Sequence, residues 1–290
     1  MAIATQLILN GIIAGAIYAL VASGFALIYS VAKFMHFSHG AVVAMGAYFL
    51  YMFAVLLGWP LPVAIVGALI LSALLGEVMN RVAYRPLRMR KSSSAVLLIA
   101  SLALMSLVSA SILAVWGADV KTVPIKNPVF ELLGARVTKL QLVIIGVSLV
   151  LLVVLWILMR KTRLGKAMRA VADHKEVAQT VGIDPESIYT KTFLIGSFLG
   201  GVAGILIGLE QNLYPQMGTS LAIKGFTGAV VGGLTSVPGA VLGSFILGLV
   251  ENIGIWWLPS GYKDAIAFVL LFVFLLFKPN GLMGSKVREA

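Results

Sequence analysis

The side chains able to do chemistry are few in this sequence, and their spacing excludes most enzymology. There is no cysteine, which excludes thiolate catalysis, disulfides and cysteine-ligated metal. No Ser-His-Asp set, no paired carboxylates, no H-E-x-x-H and no G-x-x-x-x-G-K-S/T loop occurs. A catalytic site is therefore not expected, and the chain cannot bind and hydrolyse ATP by itself. His36 and His39 stand three residues apart, but without a carboxylate or third histidine beside them no metal site is expected. Backbone hydrogen bonding is expected instead, with His39 satisfying carbonyls of a broken helix near Gly40. Glu77 precedes Arg81 by four residues, the spacing of a helical ion pair. Glu210 with Gln211 and Asn212, and Glu251 with Asn252, read as outer-rim groups within reach of a soluble partner; nearer the midplane they would line a pathway.

The elements that must position these residues follow from composition. Of the 290 residues 60% are hydrophobic and only 11% charged, against about 25% charged in an ordinary soluble domain. So few charges cannot cover that much apolar surface in water, and the composition points to an all-α polytopic membrane protein, a single transmembrane domain over 1–290. The net charge of +11 reads as topology-setting loop charge, not as a nucleic-acid surface. Met1 to Gln6 has no basic n-region, so the first apolar run is expected to be retained. Apolar runs fall at Gln6–Tyr29, Ala41–Leu57, Pro62–Asn80, Ala95–Trp116, Leu140–Leu158, Phe193–Glu210 and Ala265–Phe277. Sixteen basic residues fall on one side, in Lys33, the loops Arg81–Lys91 and Arg160–Lys191 and the tail; six fall on the other. The richer side is cytoplasmic, which puts the N-terminus outside and the C-terminus inside.

Parity then requires Ile223–Ile253, broken at Thr235 to Gly239, to leave from and return to the outside. Its short arms and its glycines fit either two short crossing helices or a re-entrant hairpin covered by protein. Counting the hairpin, about eight spans are expected. The first four spans and the last four segments run in opposite senses, with Leu140–Leu158 as a linker, which fits an inverted repeat with a pathway at its interface. His39-Gly40-Ala41 and Pro238-Gly239-Ala240 are the matching polar-to-small junctions. Asn10, Tyr18, Ser23, Ser38, Ser101, Ser106 and Thr227 are placed toward the bundle interior as pathway lining or as glue between helices. Gly233, Pro238 and Gly239, with His39 and Gly40, are candidate moving or lining parts. The longest polar stretch, 160–191, is too long for a plain connector. Leu164, Met168, Val171, Val177 and Val181 predict an amphipathic helix stopped at Gly182, and Asp184-Pro185-Glu186 predicts a turn or the start of the next helix.

These segments carry a resemblance. Thr162, Gly165, Arg169-Ala170, Asp173, Ala178 and Gly182-Ile183 resemble the coupling loop of ABC-transporter permeases. Asn10-Gly11, Phe37-Ser38-His39-Gly40 with Gly46-Ala47-Tyr48, Gly232-Gly233-Leu234 with Val237-Pro238-Gly239-Ala240, and Lys278-Pro279-Asn280-Gly281-Leu282 are similar, in order and along the whole chain, to the LivH-like branched-chain amino acid permease family. The resemblance implies a bacterial inner-membrane importer subunit for amino acids, branched-chain ones above all. It implies a second permease chain, two cytoplasmic ATPase subunits that carry the ATP and Mg, and a periplasmic substrate-binding protein. It also implies that Gly165, Arg169, Asp173, Ala178, Gly182 and Ile183 meet an ATPase. His36 stands where the family usually has Asn, and Thr235-Ser236 replaces the common Gly-Ser. Those departures leave urea, short amides or another small polar solute as alternative cargo. An ion-coupled transporter using Glu210 or Glu251 is the alternative of a different class.

Overall fold

The computed structural model describes residues 2–132 and 134–284. Its helices are α1 (Ala2–Ala32), α2 (His39–Tyr51), α3 (Leu61–Met79), the short α4 (Arg85–Met89) and α5 (Ser94–Trp116). After an antiparallel ribbon of β1 (Val129–Leu132) and β2 (Ala135–Thr138) come α6 (Lys139–Lys161), α7 (Arg163–Asp173), α8 (Lys175–Thr180), α9 (Pro185–Glu210), α10 (Met217–Gly232), α11 (Val237–Gly254) and α12 (Lys263–Phe277). Among the described residues eight helical segments are long and apolar enough to cross a membrane, and α10, at 16 residues, falls short of that length. The expected all-α membrane architecture is present. The ribbon, which no period in the sequence announced, is confined to the loop between α5 and α6.

Several boundaries moved outward for local reasons. Helix α9 begins at Pro185, eight residues before the apolar run, because Asp184 caps it by accepting from the backbone N–H of Glu186 and Ser187 and proline fits the first helical turn. Helix α2 continues as a π-helical turn at Met52–Leu56, and α3 continues through another at Asn80–Tyr84. The second π turn keeps Glu77, Asn80 and Tyr84 on a buried face while Arg81 and Val82 point out. Helix α6 starts in a capping box, with Thr138 and Gln141 satisfying each other's backbone N–H.

Helices α1 and α9 form the centre of the bundle and are buried around most of their circumference. Helices α5, α6 and α12 lie outside, with Leu102, Leu149 and Phe272 among their exposed apolar residues. In a bilayer such faces meet lipid or other chains rather than water.

The packing scheme repeats. Helix α1 packs on α10 and α11, and α9 packs on α2 and α3; α2 packs on α3 and α5, and α10 packs on α11 and α12. This is the relation expected between an α1–α2–α3–α5 half and an α9–α10–α11–α12 half, with α6 between them in sequence. Equivalent glycines meet where equivalent helices cross. A Cβ at Gly24 of α1 would lie 2.9 Å from the carbonyl oxygen of Gly196 on α9, and a Cβ on Gly196 would lie 3.2 Å from that of Gly24. Gly40 of α2 and Gly218 of α10 block each other's Cβ in the same reciprocal way. The partner of His39-Gly40 is thus Met217-Gly218, and not the Pro238-Gly239 junction suggested by local sequence.

The glycine-rich hairpin is α10 and α11, joined by a turn at Gly233, whose φ is +113°. That turn touches the chain after α12: the N–H of Leu282 donates to Val231 and that of Met283 to Gly232, at 2.9 and 2.8 Å. The hairpin therefore reaches as deep as the far end of α12 and does not stop midway.

Candidate functional site

Four groups of polar residues interrupt the apolar bundle. At its centre, His36, Ser38 and His39 link α1 to α2, all at most 1% exposed. Tyr84 Oη lies 3.0 Å from His36 Nδ1 and 2.7 Å from Ser38 Oγ, and Ser38 Oγ is 3.1 Å from the same imidazole nitrogen. The hydroxyl of Ser101 accepts from the Ser38 N–H at 2.9 Å. Burial, and then the neighbouring His39, push the His36 imidazole well below its ordinary pKa, so it stays neutral. His36 bonds side chains, not the backbone as expected. His39 does not satisfy carbonyls around Gly40; its ring lies against Gly24 and Gly200, where a Cβ would strike it, and faces the backbone of Val21 without a hydrogen bond in full geometry.

Toward the end that carries the α9–α10 and α11–α12 loops, Glu251 is fully buried. Both of its carboxylate oxygens accept from Lys224 Nζ, at 3.0 and 3.1 Å, and one accepts from Tyr18 Oη at 2.9 Å. Lys224 also pairs with Asp264 at 3.0 Å and lies 5.3 Å from the centre of the Tyr18 ring. Asp264 is largely exposed, so the chain of charges runs from the surface into the bundle. The outer-rim reading of Glu251 is corrected: the carboxylate points inward between α1 and α10. Lys224 is no loop cation but a buried residue of α10. A cation inside a glycine-rich apolar hairpin, at a cost of several kcal/mol unless paired, was the available signal. Glu210 is only partly buried and accepts from Gln141 Nε2 at 2.7 Å.

At the opposite end, Glu77 forms the expected pair with Arg81, at 2.8 Å, and also accepts from Asn80 Nδ2 and from Thr190 Oγ1 of α9, both at 3.1 Å. Arg88, nearly buried, grips Glu186 of α9 through Nη2 at 2.9 Å and Nε at 3.3 Å. It donates to Asn80 at 2.9 Å and covers the ring of Tyr189 at 4.4 Å. The grouping of Arg88 with Glu186 and Tyr189 was not legible from spacing, because Arg88 lies 98 or more residues from both partners.

The fourth group is the polar segment that precedes α9. The expected helix is two: α7 ends at Asp173 and α8 begins at Lys175, with His174 extended between them. Asp and His are poor helix formers, and the break falls on them. Thr162 caps α7 by accepting from Gly165 N–H at 3.1 Å, and Gly165 lies so close to the carbonyls of Leu158 and Met159 that no side chain fits. Arg169 donates to the carbonyl of Met159. Gly182, at φ +84°, closes α8. Its N–H donates to Gln179 and that of Ile183 to Ala178, each at 3.0 Å, the double bond of a Schellman turn. Met168, Val171 and Ala178 face the bundle, whereas Arg169, Asp173, Val177 and Val181 face out.

The pathway candidates do not gather in one place. Ser38, His39 and Gly40 share the centre. Tyr18 belongs with Glu251, and Thr227, fully buried with its hydroxyl unpaired, sits one turn along α10 from Lys224. Asn10 is half-buried and accepts from Gln6 Nε2 at 3.1 Å. Gly233 and Gly239 form the hairpin tip. Pro238 is exposed and faces an apolar groove of about 400 Å³, shared with Ile12, Trp156 and Phe245.

A family model described as the permease component of the branched-chain amino acid transport system matches residues 7–275. The chain is 33% identical to the high-affinity branched-chain amino acid transport system permease protein LivH of Escherichia coli (strain K12), over 98% of this chain and 96% of that protein. It is 32% identical to the corresponding permease protein BraD of Pseudomonas aeruginosa, over 98% and 97%. A solved structure, PsaBC from Streptococcus pneumoniae in complex with Fab, shares the fold with a TM-score of 0.53 at 12% identity, covering 93% of this chain and 91% of that one.

Proposed function

The chain belongs to the branched-chain amino acid transport permease family, and on that premise we propose that it is the membrane-spanning subunit of a bacterial inner-membrane ABC importer for branched-chain amino acids. It works with a second permease chain, identical or homologous, with two cytoplasmic ATPase subunits that bind ATP and Mg, and with a periplasmic substrate-binding protein. Its N-terminus lies outside and its C-terminus in the cytoplasm, as the basic loops favour.

The observation that carries the reading is the segment α7–α8. It is a two-part amphipathic helix whose apolar face is seated on the bundle and whose outer face offers Arg169, Asp173, Val177 and Val181. It ends in the rigid Gly182-Ile183 turn that runs straight into α9. A partner pressing on that face moves α9, the helix at the centre of the bundle, and the halves tilt so that access alternates between the two sides. Cargo affinity resides mainly in the binding protein.

The test is affinity purification of the chain with its ATPases, followed by leucine uptake in proteoliposomes. Asp173→Trp and Gly182→Trp are expected to reduce ATPase recovery and uptake together. If both stay at parental levels, α7–α8 is not the docking segment. Competition by urea and short amides for the binding protein separates the cargo alternatives. Orientation is read in the cysteine-free background: a cysteine replacing Lys126 reacts with an impermeant maleimide on intact spheroplasts, and one replacing Lys175 does not.

A further inference from the structure

The outer wall of the bundle carries a groove that plays no part in docking or coupling. It lies between α3 and α9, has a volume of about 420 Å³ and is lined only by apolar residues, Val66, Leu69, Ile70, Ala73, Leu74 and Phe198. Val66, Ile70 and Leu74 are exposed, so the groove opens on the side of α3 that faces lipid. One end of it is charged. Helix α3 and the π-helical turn after it reach Arg81 seven residues past Leu74, and α9 carries Lys191 seven residues before Phe198. At 1.5 Å per residue, both cations stand about 10 Å beyond the apolar lining. They converge on one point: Arg81 Nε and Thr190 Oγ1 donate to the same oxygen of Glu77, at 2.8 and 3.1 Å, and Lys191 is the residue after Thr190. The side chain of Arg81 is largely exposed. Lys191 is exposed too, and among the described residues no hydrogen bond or ion pair engages it. In this cluster Arg81, Arg85, Arg88 and Lys191 are four cations against two carboxylates, Glu77 and Glu186, so two positive charges are left over.

The length of α3 sets the depth of these cations. The 20 residues from Leu61 to Arg81 rise about 30 Å, the thickness of the hydrocarbon core. Trp59, stacked on Phe53 with centroids 4.6 Å apart and partly exposed, stands at the opposite interface, where tryptophan is favoured. Arg81 and Lys191 are thus at headgroup level and the groove is within the acyl layer. We propose that this is a binding site for an anionic phospholipid, with the phosphate between Arg81 and Lys191 and one acyl chain lying along Leu74, Ile70 and Val66. The groove alone would take any lipid tail. The surplus of cations at its mouth selects a headgroup with net negative charge. Arginine presents a planar fork of donors to phosphate oxygens, and lysine reaches the headgroup by extending its stem along the apolar surface. A lipid so placed bridges α3 and α9, which belong to different halves of the chain. The inference goes beyond the permease reading and needs only that the chain spans a membrane.

The test is native mass spectrometry of the full chain, alone and in complex with its ATPases, released from micelles that contain phosphatidylglycerol and phosphatidylcholine with identical acyl chains in equal amounts. The parent is expected to retain phosphatidylglycerol several-fold over phosphatidylcholine. Arg81→Gln with Lys191→Gln is expected to bring that ratio close to one, and Ile70→Trp, which overhangs the groove, to reduce retention of both lipids. Lys126→Gln with Lys139→Gln removes the same charge elsewhere and is expected to keep the parental ratio. No preference in the parent, a parental ratio in the Arg81 and Lys191 variant, parental retention in Ile70→Trp, or an equal loss in the Lys126 and Lys139 variant overturns the proposal. Displacement of the lipid by excess glycerol phosphate would reveal a site for a small anion only and overturns it as well. So does a ratio that responds to these variants in the single chain but not in the complex, because the groove then belongs to a partner chain. Should the Arg81 and Lys191 variant fail to fold, Lys191→Gln alone, at an exposed position, decides by the same criterion. Transport and ATPase recovery do not enter the readout, so its failure leaves the permease reading standing.

Discussion

Tyr84 connects two of the clusters, since its hydroxyl serves His36 and Ser38 while its helix carries Glu77 and Asn80 on the same buried face. Removing that hydroxyl leaves buried acceptors short of a partner, at a cost of roughly 1–3 kcal/mol. Tyr84→Phe is therefore expected to lower the unfolding temperature of the detergent-purified chain; an unchanged melt would mean that the Ser38–His36 contact suffices. His36 adds a pH dependence. Its pKa is lowered in the folded state, whereas the unfolded imidazole titrates near 6.5. Below about 6.5 the unfolded chain binds the extra proton, so stability falls as pH drops through the window between the two values. Melts recorded from pH 8 to 5 should decline on the acid side, and less so in His36→Asn. The helical pair Glu77–Arg81 was legible from spacing because four residues is one turn. Tyr18–Glu251 was not, because its partners are 233 residues apart.

At the scale of elements, sequence and structure agree at the end of the segment 160–191, although Val177 and Val181, expected on its apolar face, are exposed. Gly182 was expected as a helix stop, and it is one, held at φ +84° with both Schellman bonds in place. An L side chain in that conformation costs roughly 1–2 kcal/mol, less for Asn, which tolerates it. Gly182→Ala should thus reduce ATPase recovery several-fold while Gly182→Asn stays near the parent, a contrast that quantitative pull-down from membranes measures. Equal recovery in both would show that the turn's backbone geometry does not matter. The division into α7 and α8 was less legible: the apolar positions keep a helical period across His174, and only the poor helix propensity of Asp173 and His174 marks the break.

For the whole molecule, the glycine crossings at Gly24–Gly196 and Gly40–Gly218 let the two halves meet backbone to backbone. No hydrophobic drive joins helices within lipid, so such close approach is the main source of their association. Gly40→Ala inserts a Cβ against Gly218 and Ala222, and overpacking of this kind costs roughly 1–3 kcal/mol. Its expected effect is a lower unfolding temperature and weaker uptake. Gly146→Ala, at a glycine whose Cβ would meet nothing, is the matched control and should leave both unchanged.

Composition, charge bias and the spacing of small and polar residues determined the membrane class, the spans, the helical character of the segment 160–191 and the family, because each is a property of consecutive residues and of the solvent they require. Which charges are buried, which glycine answers which, and how the carboxylates divide between the two ends were decided only by the tertiary structure. Those are contacts between helices far apart in the chain, and in an apolar medium their cost or benefit is set by the partner that the fold delivers, not by neighbours in sequence.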